Sequence, residues 1–275
     1  MSKLKVVIFG AGGVVGQHLI KTTPSNIEVI FTKRNSNNSI WTNFDITTDD
    51  VFEFLDNIKP DVIVNLTGEN RVDVVESSPE EFLKVNVEFP LKLAQWVDLN
   101  NSYLIQCSTQ GVFSGDNPKY KPNDIPHPIT EYGKQKLLAE QNALTINSSE
   151  IVRFTFVLGV RPFPEYGRRN PLEDMIENKY QLQVDDRFFS PLFAQDCATM
   201  LWNKISQKLF SDKKIIHYGN ELRCSRFSIS SDVKYLARGS ISAEIKPVSH
   251  EYFTGIAPRP KDTTWLDGFA ESSID

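Results

Sequence analysis

Apolar residues along this chain fall into two patterns. Short, nearly unbroken runs occur at Leu4 to Phe9, Ile27 to Thr32, Asp61 to Leu66, Tyr103 to Cys107 and Ile151 to Val157. Continuous runs rich in β-branched residues are what strands buried on both faces require. Between them, apolar positions recur every three or four residues, as on the buried face of a helix. The clearest such stretch opens with Ser78-Pro79-Glu80-Glu81 and continues through Phe82, Leu83, Val87, Leu91, Ala94 and Val97. It predicts an N-cap serine, proline at the first helical position and a capping-box glutamate. Strands alternating with helices predict an α/β fold of the Rossmann type, a doubly wound parallel sheet with right-handed crossovers. Sheets of this kind bind ligands beyond the carboxyl ends of their strands.

The pattern loosens after residue 158. Pro162, Pro164, Gly167 and Pro171 precede a short helix, a second helix is predicted near Gln195 to Lys208, and a mixed tail follows. The expected organisation is a sheet domain over residues 1–158 and a smaller C-terminal substrate-binding lobe over 159–275, with the chain able to cross between them. A proline-rich, irregular stretch from Tyr120 to Thr130 stands just before another helix, and loops of that length in a compact domain are often functional. No internal repeat is visible, which argues against a solenoid.

Composition narrows the possible partners. The net charge of −5 over 275 residues, with no basic run, argues against an electrostatically driven nucleic-acid binder. The apolar run near the start is too short for a signal-peptide core, and no later run approaches membrane length. Cys107, Cys197 and Cys224 are widely spaced, without Cys-x-x-Cys or histidine-rich partners. Neither a disulfide framework nor a metal site is expected, and a reducing cytoplasm fits best.

Candidate chemistry begins directly after the first run. Gly10-Ala11-Gly12-Gly13-Val14-Val15-Gly16 follows a predicted strand and opens a predicted helix near Val14. Its Gly-x-x-Gly-x-x-Gly spacing (Gly10, Gly13, Gly16) suits a phosphate-binding turn. Glycine lets the backbone approach a pyrophosphate and the helix pack closely, while unpaired amides at the helix N-terminus face the phosphates. In an NAD site an acidic group about twenty residues on would hold the adenosine ribose. Here the second run ends Thr32-Lys33-Arg34, and two cations suit a 2′-phosphate, so NADP(H) is favoured and NAD(H) remains possible.

Tyr132 and Lys136 stand one helical turn apart, which puts a phenol and an ammonium on one helix face. A cation beside a tyrosine favours the phenolate, so a lowered Tyr132 pKa is expected, and with it use as a general acid or base.

With the glycine loop, the Tyr132/Lys136 pair and Ser108-Thr109 at a strand end, the sequence resembles the extended short-chain dehydrogenase/reductase family. More narrowly, it resembles the dTDP-4-dehydrorhamnose reductases. The resemblance to that branch rests on Pro60-Asp61-Val62-Ile63-Val64-Asn65, Val72 to Pro79, Ser108-Thr109-Gln110-Gly111-Val112-Phe113 and Arg259-Pro260. It implies a catalytic triad of Thr109, Tyr132 and Lys136. Tyr132 would protonate a substrate ketone that receives hydride from NADPH. Thr109 would hydrogen-bond the same oxygen, and Lys136 would bind the nicotinamide ribose and lower the Tyr132 pKa.

It further implies cofactor contacts at Val14, Val15, Asp45, Ile46, Leu66, Thr67 and Gly68, and a supporting role for Asn86. Gln110, Phe156, Asn170 and Arg259, with Arg187, are expected on the substrate side. Two departures stand out. Gln110-Gly111 replaces an Asp-Tyr pair of the branch, and Phe156 replaces a tryptophan of its sugar site, so the same reaction type on a different sugar is expected. No Asp-Glu pair follows Thr109, which argues against a dehydratase.

The expected function is NADPH-dependent reduction of a nucleotide-activated 4-keto-6-deoxy sugar in deoxysugar or polysaccharide biosynthesis. Two alternatives stand beside it: a sugar-nucleotide epimerase or epimerase-reductase, and a non-catalytic NADP-binding regulatory subunit. A homodimer is left open.

Overall fold

The computed structural model describes residues 3–177, 181–237, 244–253, 255 and 257–273. The first part of the chain forms β1 (Leu4–Phe9), α1 (Val14–Lys21), β2 (Ile27–Lys33), β3 (Trp41–Asn43), α2 (Val51–Ile58) and β4 (Val62–Asn65). It continues through α3 (Val72–Ser77), α4 (Pro79–Leu83), α5 (Phe89–Leu99), β5 (Tyr103–Thr109), α6 (Glu131–Ala143) and β6 (Ser149–Phe154). The later part supplies β7 (Phe156–Leu158), α7 (Pro171–Ile176), β8 (Leu182–Val184), β9 (Pro191–Phe193) and α8 (Ala194–Ser206). It ends with β10 (Lys214–Tyr218), α9 (Arg226–Leu236), β11 (Lys246–Val248) and β12 (Phe269–Ser273).

Eight strands make one sheet in the order β12-β10-β6-β5-β4-β1-β2-β3. Every pairing is parallel except that of β10 with β12. The doubly wound α/β fold expected from the sequence is therefore present. Two parallel strand pairs, β8 with β11 and β7 with β9, stand apart from it. Strand order reverses between β1 and β4, and at such a switch point the connections leave on opposite faces and open a crevice.

Alternate side chains of the parallel strands feed two cores. On one face Val6, Ile8, Val64 and Ile105 meet Leu19 of α1 and Leu201, Trp202 and Ile205 of α8. On the other, Val7, Phe9, Ile63 and Leu104 meet Leu55 of α2, and Phe89, Leu93 and Trp96 of α5. At roughly 1.5–3 kcal/mol per large apolar side chain, this two-sided burial is the main force holding the sheet.

Three local readings need correction. The run Ile151 to Val157 is not one strand: it ends at Phe154, and Phe156 starts β7 in a different sheet. The stretch from Ser78 is not one regular helix, because a π-helical turn over Lys84–Glu88 separates α4 from α5. The capping box is also missing. Ser78 closes α3 through its N–H to the Val74 carbonyl while starting α4, and at φ −146°, ψ 63° its hydroxyl makes no cap bond.

Candidate active site

The glycine loop lies at the carboxyl end of β1, and steric contacts fix its shape. Gly10 has φ +78°, and a Cβ there would approach the Leu66 carbonyl carbon to 2.8 Å; one at Gly16 would run into the Ala11 backbone. Helix α1 starts at Val14 with no side-chain cap and no acidic residue in its first turn. The amides of its first turn, including those of Val14, Val15 and Gly16, therefore have no side-chain competitor for an anion. Lys33 ends β2, and its side-chain stem lies beside Gly12. Arg34 is exposed.

Asp45 is committed locally: its carboxylate accepts from Thr47 N–H at 2.9 Å and from the Thr47 hydroxyl at 2.7 Å, bonds that hold its pKa below the usual range. Ile46 packs against the second core. Across the crevice, Leu66 backs Gly10, while Thr67 donates both N–H and hydroxyl to Asn65 Oδ1. Gly68 follows at φ +149°.

Thr109 ends β5, and its hydroxyl oxygen accepts from Gly111 N–H at 3.0 Å in the short turn Gln110–Val112. Thr130 caps α6 by accepting from Gly133 N–H at 2.9 Å. A Cβ at Gly133 would collide with the Gly111 carbonyl, so a bare glycine lets α6 press against this turn and sets Tyr132 beside Thr109. Thr109 and the Tyr132 ring flank the same face of Gly111, at 3.4 and 3.7 Å from where its Cβ would stand.

The expected lowering of the Tyr132 pKa does not appear. Burial pushes it up to about 12, with Thr109 opposing and the nearby Glu69 carboxylate adding to the rise. Lys136 does not reach across to offset this. Its ammonium is buried and donates to the Cys107 carbonyl at 2.9 Å, and desolvation lowers its own pKa. Asn86, on the π-helical turn, contacts Glu69 N–H at 2.8 Å and Gln135 Oε1 at 2.8 Å rather than the lysine.

Beneath these groups lies a charged layer that sequence reasoning passed over. Glu140 follows Lys136 by one turn of α6 and pairs with Arg153 of β6 at 2.7 Å, both side chains being 1% exposed. Glu140 also accepts from Ser108 at 2.5 Å, and Arg153 contacts His217 at 3.3 Å. Burial, with Arg153 beside it, brings the His217 pKa down to about 3. No short-range signal joins Glu140, Arg153 and His217; the sheet brings them together.

The expected substrate residues divide. Gln110 Oε1 is buried and has no hydrogen-bond partner among the described residues. A Cβ at Gly111 would stand 3.7 Å from the Tyr132 ring edge, so glycine keeps this side of the ring clear. Phe156 packs on Phe189 at 4.3 Å between centroids. Arg187 is half-buried, donates to the Pro260 carbonyl at 2.7 Å and lies within electrostatic reach of Arg259. Arg259 pairs with Asp73 of α3 at 2.6 Å. Asn170 is occupied structurally: it caps α7 through Leu172 N–H, accepts from Gly159 N–H and donates to the Val157 carbonyl.

A strap over residues 161–168 runs from β7 toward α7 across the crevice mouth. Gln17 of α1, fully buried, donates to the Gly12 carbonyl at 3.0 Å and the Tyr166 carbonyl at 2.6 Å, and accepts from Phe163 N–H at 2.9 Å. At its far end Arg168 forms two bonds of 2.6 Å to Glu69, whose carboxylate also binds Arg71 and titrates near 2.

A glycine loop at a switch point, beside a threonine, tyrosine and lysine on adjoining elements, defines a Rossmann-type protein with the arrangement of an NAD(P)-dependent reductase family. The chain belongs to the RmlD substrate binding domain family, which matches residues 4–268. It is thus dTDP-4-dehydrorhamnose reductase-like, within the extended short-chain dehydrogenases/reductases, as the resemblance implied.

Among curated relatives, dTDP-4-dehydrorhamnose reductase of Aggregatibacter actinomycetemcomitans is 33% identical over 206 residues, covering 72% of this chain and 66% of that protein. Methionine adenosyltransferase 2 subunit beta of Xenopus laevis is 28% identical over 221 residues, covering 75% and 63%. The matched stretch thus spans just under two thirds of each relative's length. The dTDP-4-dehydrorhamnose reductase of Bacillus anthracis, solved in complex with NADP, superposes with a TM-score of 0.83 at 26% identity, covering 96% of this chain and 90% of that one. Among the described residues no helix is long and apolar enough to cross a membrane, and no cluster of potential metal ligands occurs.

Proposed function

We propose that the protein is an NADPH-dependent reductase of a nucleotide-activated 4-keto-6-deoxy sugar. In this reading residues 1–158 hold the dinucleotide, and residues 159–275 supply most of the substrate side. The observation that carries it is Tyr132 set beside Thr109 across Gly111 at the carboxyl edge of the sheet, the edge that also bears the glycine loop. That loop fits a dinucleotide: its glycines leave no side chain over the backbone, and the start of α1 offers uncapped amides. Val14, Val15, Lys33, Arg34, Leu66, Thr67 and Gly68 would border the bound cofactor.

When bound, NADPH supplies the hydride. The chain's own part is to hold the ketone and deliver a proton to its oxygen. A Tyr132 pKa near 12 keeps the hydroxyl protonated at neutral pH, so it has a proton to give. Thr109, its oxygen already accepting from Gly111 N–H, can direct its own hydrogen to the same ketone oxygen. Both donors then act where negative charge develops. The unpartnered Gln110 Oε1 suits a sugar hydroxyl, and the Arg187/Arg259 pair suits the diphosphate.

The test is NADPH oxidation with freshly generated dTDP-, UDP- and GDP-linked 4-keto-6-deoxy sugars. Tyr132→Phe should lower kcat by roughly 100-fold or more, without a matching loss of NADPH affinity. If no keto sugar in that panel stimulates oxidation, the substrate class is wrong. One observation favours a second reading, a non-catalytic NADP-binding subunit: the Lys136 ammonium is engaged by the Cys107 carbonyl. NADPH binding without turnover, together with copurification of a partner enzyme, would select it.

A further inference from the structure

The strap crosses the crevice exactly where Lys33 ends, and this juxtaposition adds a residue to the adenosine end of the site. Gly167, at φ +75°, lies on the glycine loop so closely that a Cβ there would collide with the Gly12 carbonyl oxygen. A strap with any other residue here would have to lift. Arg161 braces it from behind, donating to the Pro164 and Gly167 carbonyls at 2.8 Å each while paired with Glu173 at 2.9 Å.

Between these anchors the Tyr166 side chain turns toward the end of β2. Its ring meets Trp41 edge-on with centroids 5.5 Å apart, and the Lys33 ammonium lies 5.3 Å from its centroid. The Tyr166 hydroxyl oxygen accepts from Asn38 Nδ2 at 2.9 Å, which leaves its hydrogen free to donate elsewhere. Tyr166 and residues Asn35 to Ser39 line a polar depression of about 530 Å³ that is widely open to solvent.

We propose that Tyr166 is a specificity-determining residue for the cofactor's 2′-phosphate, holding the Lys33 ammonium against its ring and donating its hydroxyl to the phosphate. This deepens the proposed function and rests on its cofactor. A phosphomonoester dianion needs several donors and a cation; Asn38 and Tyr166 line the polar depression, and the Lys33 ammonium stands against the Tyr166 ring that borders it. NAD(H) offers a neutral ribose hydroxyl in the same place and gains much less from them. Cofactor choice is then made jointly by the first β-α-β unit and by a segment more than 120 residues further along the chain.

The test is calorimetric binding of NADP⁺, NAD⁺, 2′,5′-ADP and ADP to the full chain, free of any turnover requirement. Wild type should prefer NADP⁺ over NAD⁺ and 2′,5′-ADP over ADP. Tyr166→Ala should weaken NADP⁺ and 2′,5′-ADP roughly tenfold, the scale of one hydrogen bond to a charged group, and change NAD⁺ less than about twofold. Tyr166→Phe keeps the ring on Trp41 but removes the hydroxyl, and should show a smaller loss, again confined to the 2′-phosphate ligands. It carries the test should the alanine variant fail to fold. Equal losses for phosphorylated and unphosphorylated ligands, no loss in either variant, or a wild type preferring NAD⁺ would overturn the assignment. A wild type that binds neither dinucleotide removes the proposed function as well, whereas tight NADP⁺ binding indifferent to Tyr166 removes this inference alone.

Discussion

Two arginine–carboxylate arrangements border the same crevice and differ in kind. In the floor, Glu140 and Arg153 are each 1% exposed, joined by two hydrogen bonds and braced by Ser108 and His217. At the rim, Arg168 reaches Glu69 and Arg259 reaches Asp73 with good geometry, yet Arg168 is 57% exposed over a buried Glu69, and the Arg259/Asp73 pair is 35% and 47% exposed. Water reaches the arginine of both rim pairs and is shut out of the floor, so similar distances carry different energies. The floor fixes where Thr109 and the Tyr132 helix stand. The rim joins distant parts of the chain and can part at little cost.

The sharpest way to break this contrast is to remove the floor's carboxylate. Glu140→Ala strands a buried guanidinium and the Ser108 hydroxyl, and should cost about 3–5 kcal/mol, a Tm drop of roughly 10 °C. A loss below about 1 kcal/mol by denaturant titration would place floor and rim in one class.

Acid gives a second, smaller separation. His217 titrates near 6.5 when unfolded and near 3 when folded, so its neutral form contributes its full stabilisation above pH 6.5 and loses it as pH falls toward 3. Wild type should lose on the order of 2 kcal/mol between pH 7 and 5 from this group, while His217→Gln shows a flatter profile there. Glu69 at the rim, with its folded pKa near 2, keeps its full contribution above about pH 4.5 and gives it up only below that. Parallel profiles for wild type and His217→Gln between pH 7 and 5 would remove His217 as the source. The smallest effect belongs to the rim: Asp73→Asn and Arg168→Ala should each shift stability by no more than about 1 kcal/mol, and by less in high salt.

The parts of the fold and site that could be read from sequence are those set by local rules. The glycine loop shows itself because strand, glycines and helix start are contiguous, and the central strands because both their faces are apolar. What escaped depends on partners far apart in sequence. Gln17 and Tyr166 are separated by 149 positions, and nothing near either announces the other. Ser78 had the right neighbours for a capping box, but α3 had already claimed its backbone. The spacing of Tyr132 and Lys136 was legible; that a carbonyl would take the ammonium and burial would raise the phenol was not.

The π-helical turn at Lys84–Glu88 has a consequence for the length of the chain itself. A wide turn holds one residue more than an α-helical turn, and each residue advances a helix by about 100°. Asn86 sits within that widened turn, where it reaches Glu69 and Gln135. Deleting a single residue there would leave α4 and α5 individually intact but rotate one against the other by more than a quarter turn. Asn86 or the buried face of α5 would then point the wrong way. In this segment the count of residues is itself under constraint, independently of which residues they are.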